Sequence, residues 1–339
     1  VAGRARSGEP SLRDVAELAN VSLATASKAM NGRADVAEPT RRRVLDAAES
    51  LGFRASDRPG VRRAAPRTIG LLSADLGGRF ARRVAEGARA ALGDGRLTVL
   101  SCHTEADSDL ERQHVDALLD RRLDGLIVVA GRTDPRPPLR LTVPIPVVYV
   151  YGPSQDHRDF SLVPDDVAGG RTAADHLMAA GRSSIAHITG NPDSTAARER
   201  ACGVRSALQA AGLRLVGGVM AADWSERWGR EASAKLIARH PDVDAIACGS
   251  DPIARGALDS LRDLGRRVPE DVAVIGYDNW EALSADSQPR LTTVDPDLER
   301  FGAEAATRLI AAGEPGDSPS GSHRLPPRLV IRDSTVAAE

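Results

Sequence analysis

Lysine is almost missing from this chain. It occurs only at Lys28 and Lys235, so arginine supplies nearly all of the positive charge. Cysteine is scarce too: Cys102, Cys202 and Cys248 are odd in number and have no CxxC-type spacing. That pattern excludes a disulfide framework or a cysteine-built zinc site, and it fits reduced thiols. Long apolar runs are absent. The longest, such as residues 145–151, are of strand length, far short of the roughly 18 apolar residues a membrane span needs. The opening VAGRARSGEPSLRD has no apolar centre of the kind an export signal carries, so the expected location is cytoplasmic. GxSxG, GxxxxGK[ST] and HExxH are all missing, and with them the commonest hydrolase, nucleotide and zinc-protease signatures. The seven histidines are scattered; His103, His176 and His187 lie in or beside expected regular elements and read as structural. The sequence therefore predicts neither cofactor nor metal.

What is present is a globular composition, 42% hydrophobic and 27% charged, over 339 residues, enough for two or three domains. The net charge of −2 hides an asymmetry. Residues 1–67 hold 13 Lys and Arg against 8 Asp and Glu, a net of +5, which leaves −7 for the remainder. A basic head on an acidic body suits a head that meets a polyanion.

The head contains two short apolar-periodic segments that meet at Ala19-Asn20-Val21-Ser22, the second built almost wholly of small residues. Ser11-Leu12-Arg13-Asp14 resembles a capping box, with Asp in place of Glu. Leu12, Val15, Ala16, Leu18 and Ala19 fall on one helical face. Asn20 sits where the chain must turn, and Asn tolerates the left-handed conformation well. Ser22 can cap a second helix over 23–30, ended by Asn31-Gly32. A third helix is expected from about Glu38 to Leu51, with Pro39 in its first turn, Val44, Ala47, Ala48 and Leu51 inward, and Gly52 stopping it. Helix, tight turn, small-residue helix and third helix make the helix-turn-helix pattern, in which the second helix enters the DNA major groove.

At this point the residues carry a resemblance. DVAELANVSLATASKAMNG followed by VAEPTRRRVLDAAESLGF closely resembles the DNA-binding head of the LacI/GalR family of bacterial transcription regulators. The resemblance implies that Leu23 and Ala24 occupy base-reading positions and that Lys28 stands where the family usually has a base-reading Arg. Ser22, Thr25, Ser27, Asn31 and Thr40 match backbone-contacting positions, whose hydroxyls and amides suit phosphate oxygens. Leu23 and Ala24 offer no side-chain donors, so hydrogen-bonded reading falls largely on Lys28, without the planar fork of Arg. Asn20 replaces the usual Gly, Ala37 the usual Ser cap, and Ala26 the usual Val.

Residues 56–67 form a basic linker punctuated by Pro59-Gly60 and Pro66. Family members insert a leucine from a short linker helix into the minor groove. Here no leucine is present and Val61 is the only bulky apolar residue, so the wedge is expected to be weak or absent. Arg58, Arg62 and Arg63 can follow phosphates instead. Val61→Ala should then barely alter DNA affinity or bending.

Past the linker, strand-like runs alternate with helical periods. Strands are expected at 68–72, 97–102, 125–129, 147–151, 184–189, 245–248 and 272–276; helices at 110–123, 169–180 and 253–264. Runs such as IGLL, LIVV and VAVIG suit a parallel sheet covered on both faces. Ligands in such sheets bind at the carboxyl ends of strands, and those ends are polar here, for example Gly249-Ser250-Asp251 and Tyr277-Asp278-Asn279. The family resemblance extends over the body through TAARERACGVRSAL, AIACGSDPIARGAL, VPEDVAVIGYDN, LTTV and LPPRLVIRDST. It implies an α/β fold: a helix-turn-helix head plus a periplasmic-binding-protein-like body of two doubly wound parallel-sheet subdomains, with an effector between them. The implied division is a head over 1–55, a linker over 56–67 and a body over 68–339. Within the body, one subdomain covers about 68–162 and 293–322, the other about 163–292 and 323–339. The implied effector contacts are Asp75, Phe80, Asp165, Arg198, Arg200, Trp224, Ser250 and Asp278, with Arg200 and Asp278 as the clamping pair. Tyr151 stands where several sugar-binding members carry Asp, and Ser250 where Asn is common. A sugar is the leading class; a nucleoside or a glycoside with a flat group is the alternative.

Three functions compete at this stage: an effector-controlled regulator that is a homodimer on a palindromic DNA operator, a cytoplasmic sugar- or nucleoside-binding module with weakened DNA recognition, and a small α/β enzyme with a helical cap. The regulator accounts for the basic head. An enzyme should turn over its ligand, whereas a regulator should return it unchanged. Arg200→Ala is expected to abolish the effector response and spare ligand-free DNA binding.

Overall fold

The computed structural model describes residues 12–30, 36–51, 67–74, 79–93, 97–104, 107–121, 123–142, 144–312 and 320–336. Asn31, the linker residues Arg58, Val61, Arg62 and Arg63, and Asp75 lie outside the described residues. Two compact units are present, Val1–Ala65 and Pro66–Glu339.

The first unit holds three helices: α1 (Leu12–Leu18), α2 (Leu23–Met30) and α3 (Glu38–Ser50). Its core is made of small residues. Val15, Ala16, Ala19, Ala26, Ala29, Val36, Val44, Ala47 and Ala48 are buried together, with Leu12, Val21 and Leu51 packed against them. The sharp turn between α1 and α2 rests on Asn20 at φ 52°, the left-handed conformation expected for it. Ser22 caps α2, its Oγ accepting from the Thr25 amide at 3.1 Å. Leu18, expected on the inner face of α1, is 56% exposed instead. Val15, Ala16 and Ala19 already fill the inward arc of so short a helix.

The second unit contains two six-stranded sheets. The first has the order β11-β5-β4-β3-β1-β2. Its strands are β1 (Arg67–Ser73), β2 (Leu97–His103), β3 (Gly125–Val129), β4 (Val147–Val150), β5 (Phe160–Pro164) and β11 (Gly321–Leu325). All pairings within it are parallel. The second has the order β12-β10-β9-β8-β6-β7. It comprises β6 (Ile185–Thr189), β7 (Val216–Ala221), β8 (Ala245–Cys248), β9 (Ala273–Tyr277), β10 (Thr292–Asp295) and β12 (Arg328–Val330). Only the β10–β12 pair in it is antiparallel. The central strands β3, β8 and β9 are buried throughout, because helices cover both sheet faces.

The chain passes between the sheets three times: from β5 into α6 (Asp166–Ala179), from β10 into α11 (Leu298–Ala311), and from β11 into β12. Each crossing lies just C-terminal of the corresponding boundary at 162/163, 292/293 or 322/323. α4 (Arg79–Leu92) and α11 pack together on one face of the first sheet, and α5 (Ser108–Leu119) lies on the other. On the second sheet α6 pairs with α7 (Thr195–Ala210), and α8 (Glu226–Arg239) with α9 (Asp251–Asp263). Glycine lets α6 and α7 approach closely: a Cβ on Gly170 would lie 2.1 Å from the Arg200 carbonyl oxygen, and one on Gly203 2.1 Å from that of Val167. That close approach brings the first turn of α6 against Arg200. Among the described residues no helix is long and apolar enough to cross a membrane.

Candidate functional site

In the head, α2 turns Ala26 and Ala29 inward, at 0% and 2% exposure, and presents Leu23, Ala24 and Lys28 outward. Leu23 is 48% exposed. Ser22 is exposed beside Thr25, their hydroxyls 2.8 Å apart. Ser27 and Thr40 are half-buried. The small core side of α2 and its outward Leu23, Ala24 and Lys28 are thus two faces of one helix.

In the body, the centre is Arg200, on the inward side of α7 with its side chain only 3% exposed. Its Nε donates to Asp166 Oδ1 at 2.9 Å and its Nη1 to the Gly249 carbonyl at 2.6 Å. The guanidinium lies 3.5 Å from the Tyr277 ring centroid and 5.6 Å from that of Trp224. The Tyr277 hydroxyl donates to Asp166 Oδ1 at 2.8 Å. Asp278 Oδ1 is 3.9 Å from Arg200 Nη1. Burial alone disfavours the guanidinium charge, yet Asp166, Tyr277, Tyr151 and Asp278 outweigh it and hold the Arg200 pKa well above its ordinary value. Burial pushes the Asp166 carboxyl up, against the pull of Arg200 and the Tyr277 hydroxyl. Among the described residues, two buried carboxylate oxygens, Asp166 Oδ2 and Asp278 Oδ1, find no hydrogen-bond donor.

The turn that carries Asp278 is strained, with φ 100° at Asp278 and 48° at Asn279. Buried Asp251 secures it, accepting from the Trp280 amide and the Thr293 hydroxyl, each at 2.7 Å. From the first sheet, Arg79 Nη2 lies 3.6 Å from Asp278 Oδ2. The same guanidinium rests over Phe80 at 4.3 Å and Trp280 at 4.9 Å. Phe80 and Tyr151 stack with centroids 4.5 Å apart, both 4% exposed, Tyr151 at φ 77°. Burial, then the Asp278 charge, raises the Tyr151 pKa, so its hydroxyl is neutral.

Of the expected effector contacts, Arg200, Asp278, Trp224, Phe80 and Tyr151 are thus brought to one region spanning both sheets. Ser250 adjoins it through Gly249, and its Oγ is 3.5 Å from the Ile253 amide at the start of α9. Two others are not brought in. Asp165 caps α6, accepting from the Ala168 amide at 2.9 Å. Arg198 is exposed and folds back on the Asp193 carbonyl and the Thr195 hydroxyl. Asp166 and Tyr277 were missed; the signals were the Asp165-Asp166 doublet and the aromatic just before Asp278.

A cavity of about 870 Å³ shares Phe80 and Asp278 with this region. It runs along the exposed face of α4 past Arg83, Arg89 and His103 and does not reach Arg200, so its volume is not that of the Arg200 cluster. His103, the last residue of β2, is exposed there. His187 is interior: its Nδ1–H donates to the Ala247 carbonyl at 2.8 Å, and burial pulls its pKa down to about 4. His176 is held against the Thr335 hydroxyl at 2.7 Å. Among the described residues no group of His, Cys, Asp and Glu could hold a metal ion.

A helix-turn-helix unit joined to a two-sheet body, with polar and aromatic groups converging between the sheets, defines the class of ligand-controlled DNA-binding regulators. The comparisons agree. Residues 11–56 match the model of bacterial regulatory proteins of the lacI family, and residues 174–335 match a periplasmic binding protein-like domain. The HTH-type transcriptional repressor PurR of Aliivibrio salmonicida is 30% identical over 336 residues, covering 95% of this chain and 98% of that protein. The HTH-type transcriptional regulator CelR of Thermobifida fusca is 33% identical over 352 residues, covering 98% and 99%. Among solved structures, the CelR–cellobiose complex is 29% identical over 96% of this chain and 99% of that one, with a TM-score of 0.61. The Lac repressor dimer bound to operator and the anti-inducer ONPF is 25% identical, covers 97% and 100%, and has a TM-score of 0.64. The chain belongs to the LacI family. It is a DNA-binding transcriptional regulator with an effector-binding domain, not an enzyme.

Proposed function

We propose that this regulator is a cytoplasmic repressor, that it binds a palindromic operator as a homodimer, and that a sugar bound between the two sheets controls it. The observation that carries the effector class is the pair of buried carboxylate oxygens without a donor, Asp166 Oδ2 and Asp278 Oδ1, beside a fully buried Arg200. An unsatisfied buried acceptor is costly, and a ligand rich in hydroxyl donors removes that cost on binding. Arg200, Asp278 and Trp224 supply charge and a stacking face, and Ser250 can supply a hydroxyl. The cellobiose of the CelR complex supports the same class. The Phe80–Tyr151 stack favours a second reading, a glycoside or nucleoside whose flat group meets those rings.

On the DNA side, Leu23, Ala24 and Lys28 meet base edges, while Ser22, Thr25, Ser27, Asn31 and Thr40 meet phosphates, with Arg58, Val61 and Arg62 following along the linker. Two such heads require two half-sites related by symmetry. The test is selection of bound sequences from random duplex DNA at moderate salt, first without and then with a sugar panel. A palindrome whose enrichment changes with one sugar supports the proposal. Failure to enrich any sequence, with or without sugars, refutes operator binding; enrichment that only nucleosides change moves the effector to the second reading.

A further inference from the structure

α7 is the element that carries Arg200, and its own first turn is held from the opposite sheet. The first backbone N–H groups of a helix have no intrahelical acceptor and concentrate partial positive charge. Ser194 supplies one acceptor from within the second-sheet region, its Oγ 3.3 Å from the Ala197 amide. The Thr195 amide is served across the cleft: it donates to Asp134 Oδ1 at 2.8 Å. Asp134 belongs to the segment that follows β3 in the first-sheet region. That segment is firmly anchored there. Arg136 bridges to Ser154, its amide donates to the Pro153 carbonyl at 2.9 Å, and its Nη2 meets Glu111 Oε1 at 2.6 Å.

One turn further along α7, Glu199 makes a second contact with the first sheet. Both of its carboxylate oxygens accept from Arg324 of β11, each at 2.7 Å. Thr195 and Glu199 are four residues apart and so share one helix face. That face meets the first sheet, while the next residue, Arg200, points into the ligand cluster of the second.

We propose that Asp134 and Arg324 are positioning residues for effector binding: together they latch α7 to the first sheet, so that closing the two sheets on each other and presenting Arg200 are one event. The effector part rests on the reading of the Arg200 cluster as the effector site. Neither residue touches that cluster. Each acts by favouring the arrangement in which Phe80 and Tyr151 from one sheet face Arg200 and Asp278 from the other. Affinity for a ligand that needs the closed arrangement then scales with the closed fraction.

The test begins with the full chain alone. Amide hydrogen exchange is followed over residues 194–200 in the wild type, Asp134→Ala, Asp134→Asn, Arg324→Glu and the swapped pair Arg324→Glu with Glu199→Arg. Exchange at Thr195 should rise about ten-fold in Asp134→Ala and stay close to wild type in Asp134→Asn, which keeps an acceptor. It should also rise in Arg324→Glu, although Arg324 does not touch Thr195, and return in the swapped pair. Unchanged Thr195 exchange in Asp134→Ala or in Arg324→Glu overturns the latch, as does faster exchange throughout α6 to α9, which marks a folding defect. Cellobiose binding is then measured calorimetrically. If the wild type binds it, Asp134→Ala should bind about three- to ten-fold more weakly, and equal affinity overturns the positioning role. If the wild type does not bind it, the sugar reading loses that candidate, and the exchange data alone sustain or overturn the latch.

Discussion

Arg200 is both the centre of the proposed effector site and a buried structural charge, and a double-mutant cycle separates the two roles. Its side chain is 3% exposed and that of Asp166 1%. Arg200→Met alone leaves the Asp166 carboxylate buried with, among the described residues, only the Tyr277 hydroxyl to donate to it, and frees the Gly249 carbonyl. Breaking a buried pair from one side costs about 3–5 kcal/mol. Asp166→Leu alone leaves the guanidinium to the Gly249 carbonyl and to Asp278 Oδ1 3.9 Å away, and should cost at most a similar amount. The double variant removes both charges of the pair; what remains is an unpaired Tyr277 hydroxyl and the Gly249 carbonyl, about 1–3 kcal/mol each when left unsatisfied, and Asp278, which keeps Arg79. The double should therefore be destabilised well below the sum of the singles, by a coupling of at least about 2 kcal/mol. Urea unfolding followed through tryptophan fluorescence reads all three, with the midpoint shift at constant slope as the quantity. The double variant should also bind operator without effector and ignore any sugar. A single Arg200→Met within about 1 kcal/mol of wild type would refute the reasoning, since a buried counter-ion cannot be lost so cheaply. It would make Arg200 a ligand group alone, and the simpler expectation for Arg200→Ala, lost response with intact DNA binding, would then suffice.

Three further outcomes follow. Burial and then the Asp278 charge push the Asp251 carboxyl up to about 8, so the folded chain keeps a proton that the unfolded chain releases near 4. That contribution to stability is complete below about pH 4 and is lost as pH rises to about 8, at up to about 1.4 kcal/mol per pH unit; Asp251→Asn should flatten this slope in urea midpoints taken at pH 5 and 8, and an unchanged slope rejects the assignment. Ser22→Ala removes the acceptor of the Thr25 amide and should cost the head about 1 kcal/mol, read as faster hydrogen exchange along α2 with none along the body helices. Lys28→Ala should weaken binding to a selected operator by about 1–3 kcal/mol and relax preference at one base position, whereas loss spread evenly over all sequences would make Lys28 a phosphate contact.

The head was readable because its core is a pattern of small residues and its turn needs a residue that accepts positive φ; Ala26, Ala29 and Asn20 carry both signals. Leu18 was misread because periodicity ranks a position by angle and cannot tell when a seven-residue helix has filled its inner arc. In the body, β3 and β8 announced themselves as unbroken apolar runs, since both of their faces are covered. β10 gave a weaker signal: Thr292 and Thr293 are polar yet fully buried, and their hydroxyls find partners in Arg332, Thr335 and Asp251 that only the tertiary fold supplies. The strand-end rule located Ser250 and Asp278. Choosing between neighbours was beyond it. Asp165 and Asp166 differ by one residue, but the N-cap turns back to the helix amides while the first helical residue projects sideways to Arg200. Arg198 and Arg200 differ by two residues, about 200° around the helix, so only one of them can face the cluster.

The Arg200 cluster and the Phe80–Tyr151 stack come from different sheets, and under the proposed reading this restricts how a ligand can act. Arg200, Asp166, Ser250 and Asp278 belong to the second-sheet region, Phe80 and Tyr151 to the first. α4 reaches across to the ligand turn twice: Arg79 pairs with the Asp278 carboxylate, and Arg83 donates to its carbonyl at 3.5 Å while gripping Asp295 through two bonds of 3.2 and 3.1 Å. Asp295, at the second crossing, also takes Arg328 and Asn279. Under the proposed reading, a ligand hydroxyl given to Asp278 Oδ1 sits on the carboxylate whose other oxygen faces Arg79, so it draws charge from a contact between α4 and the second sheet. α4 follows β1 in sequence, and β1 begins at Arg67, where the body's chain leaves toward the head. The route from the Asp278 turn to β1 thus runs through the Arg79 and Arg83 contacts and then along α4. If a ligand with different affinity for two sheet arrangements controls operator binding, as proposed, linkage requires that operator binding change ligand affinity by the same factor.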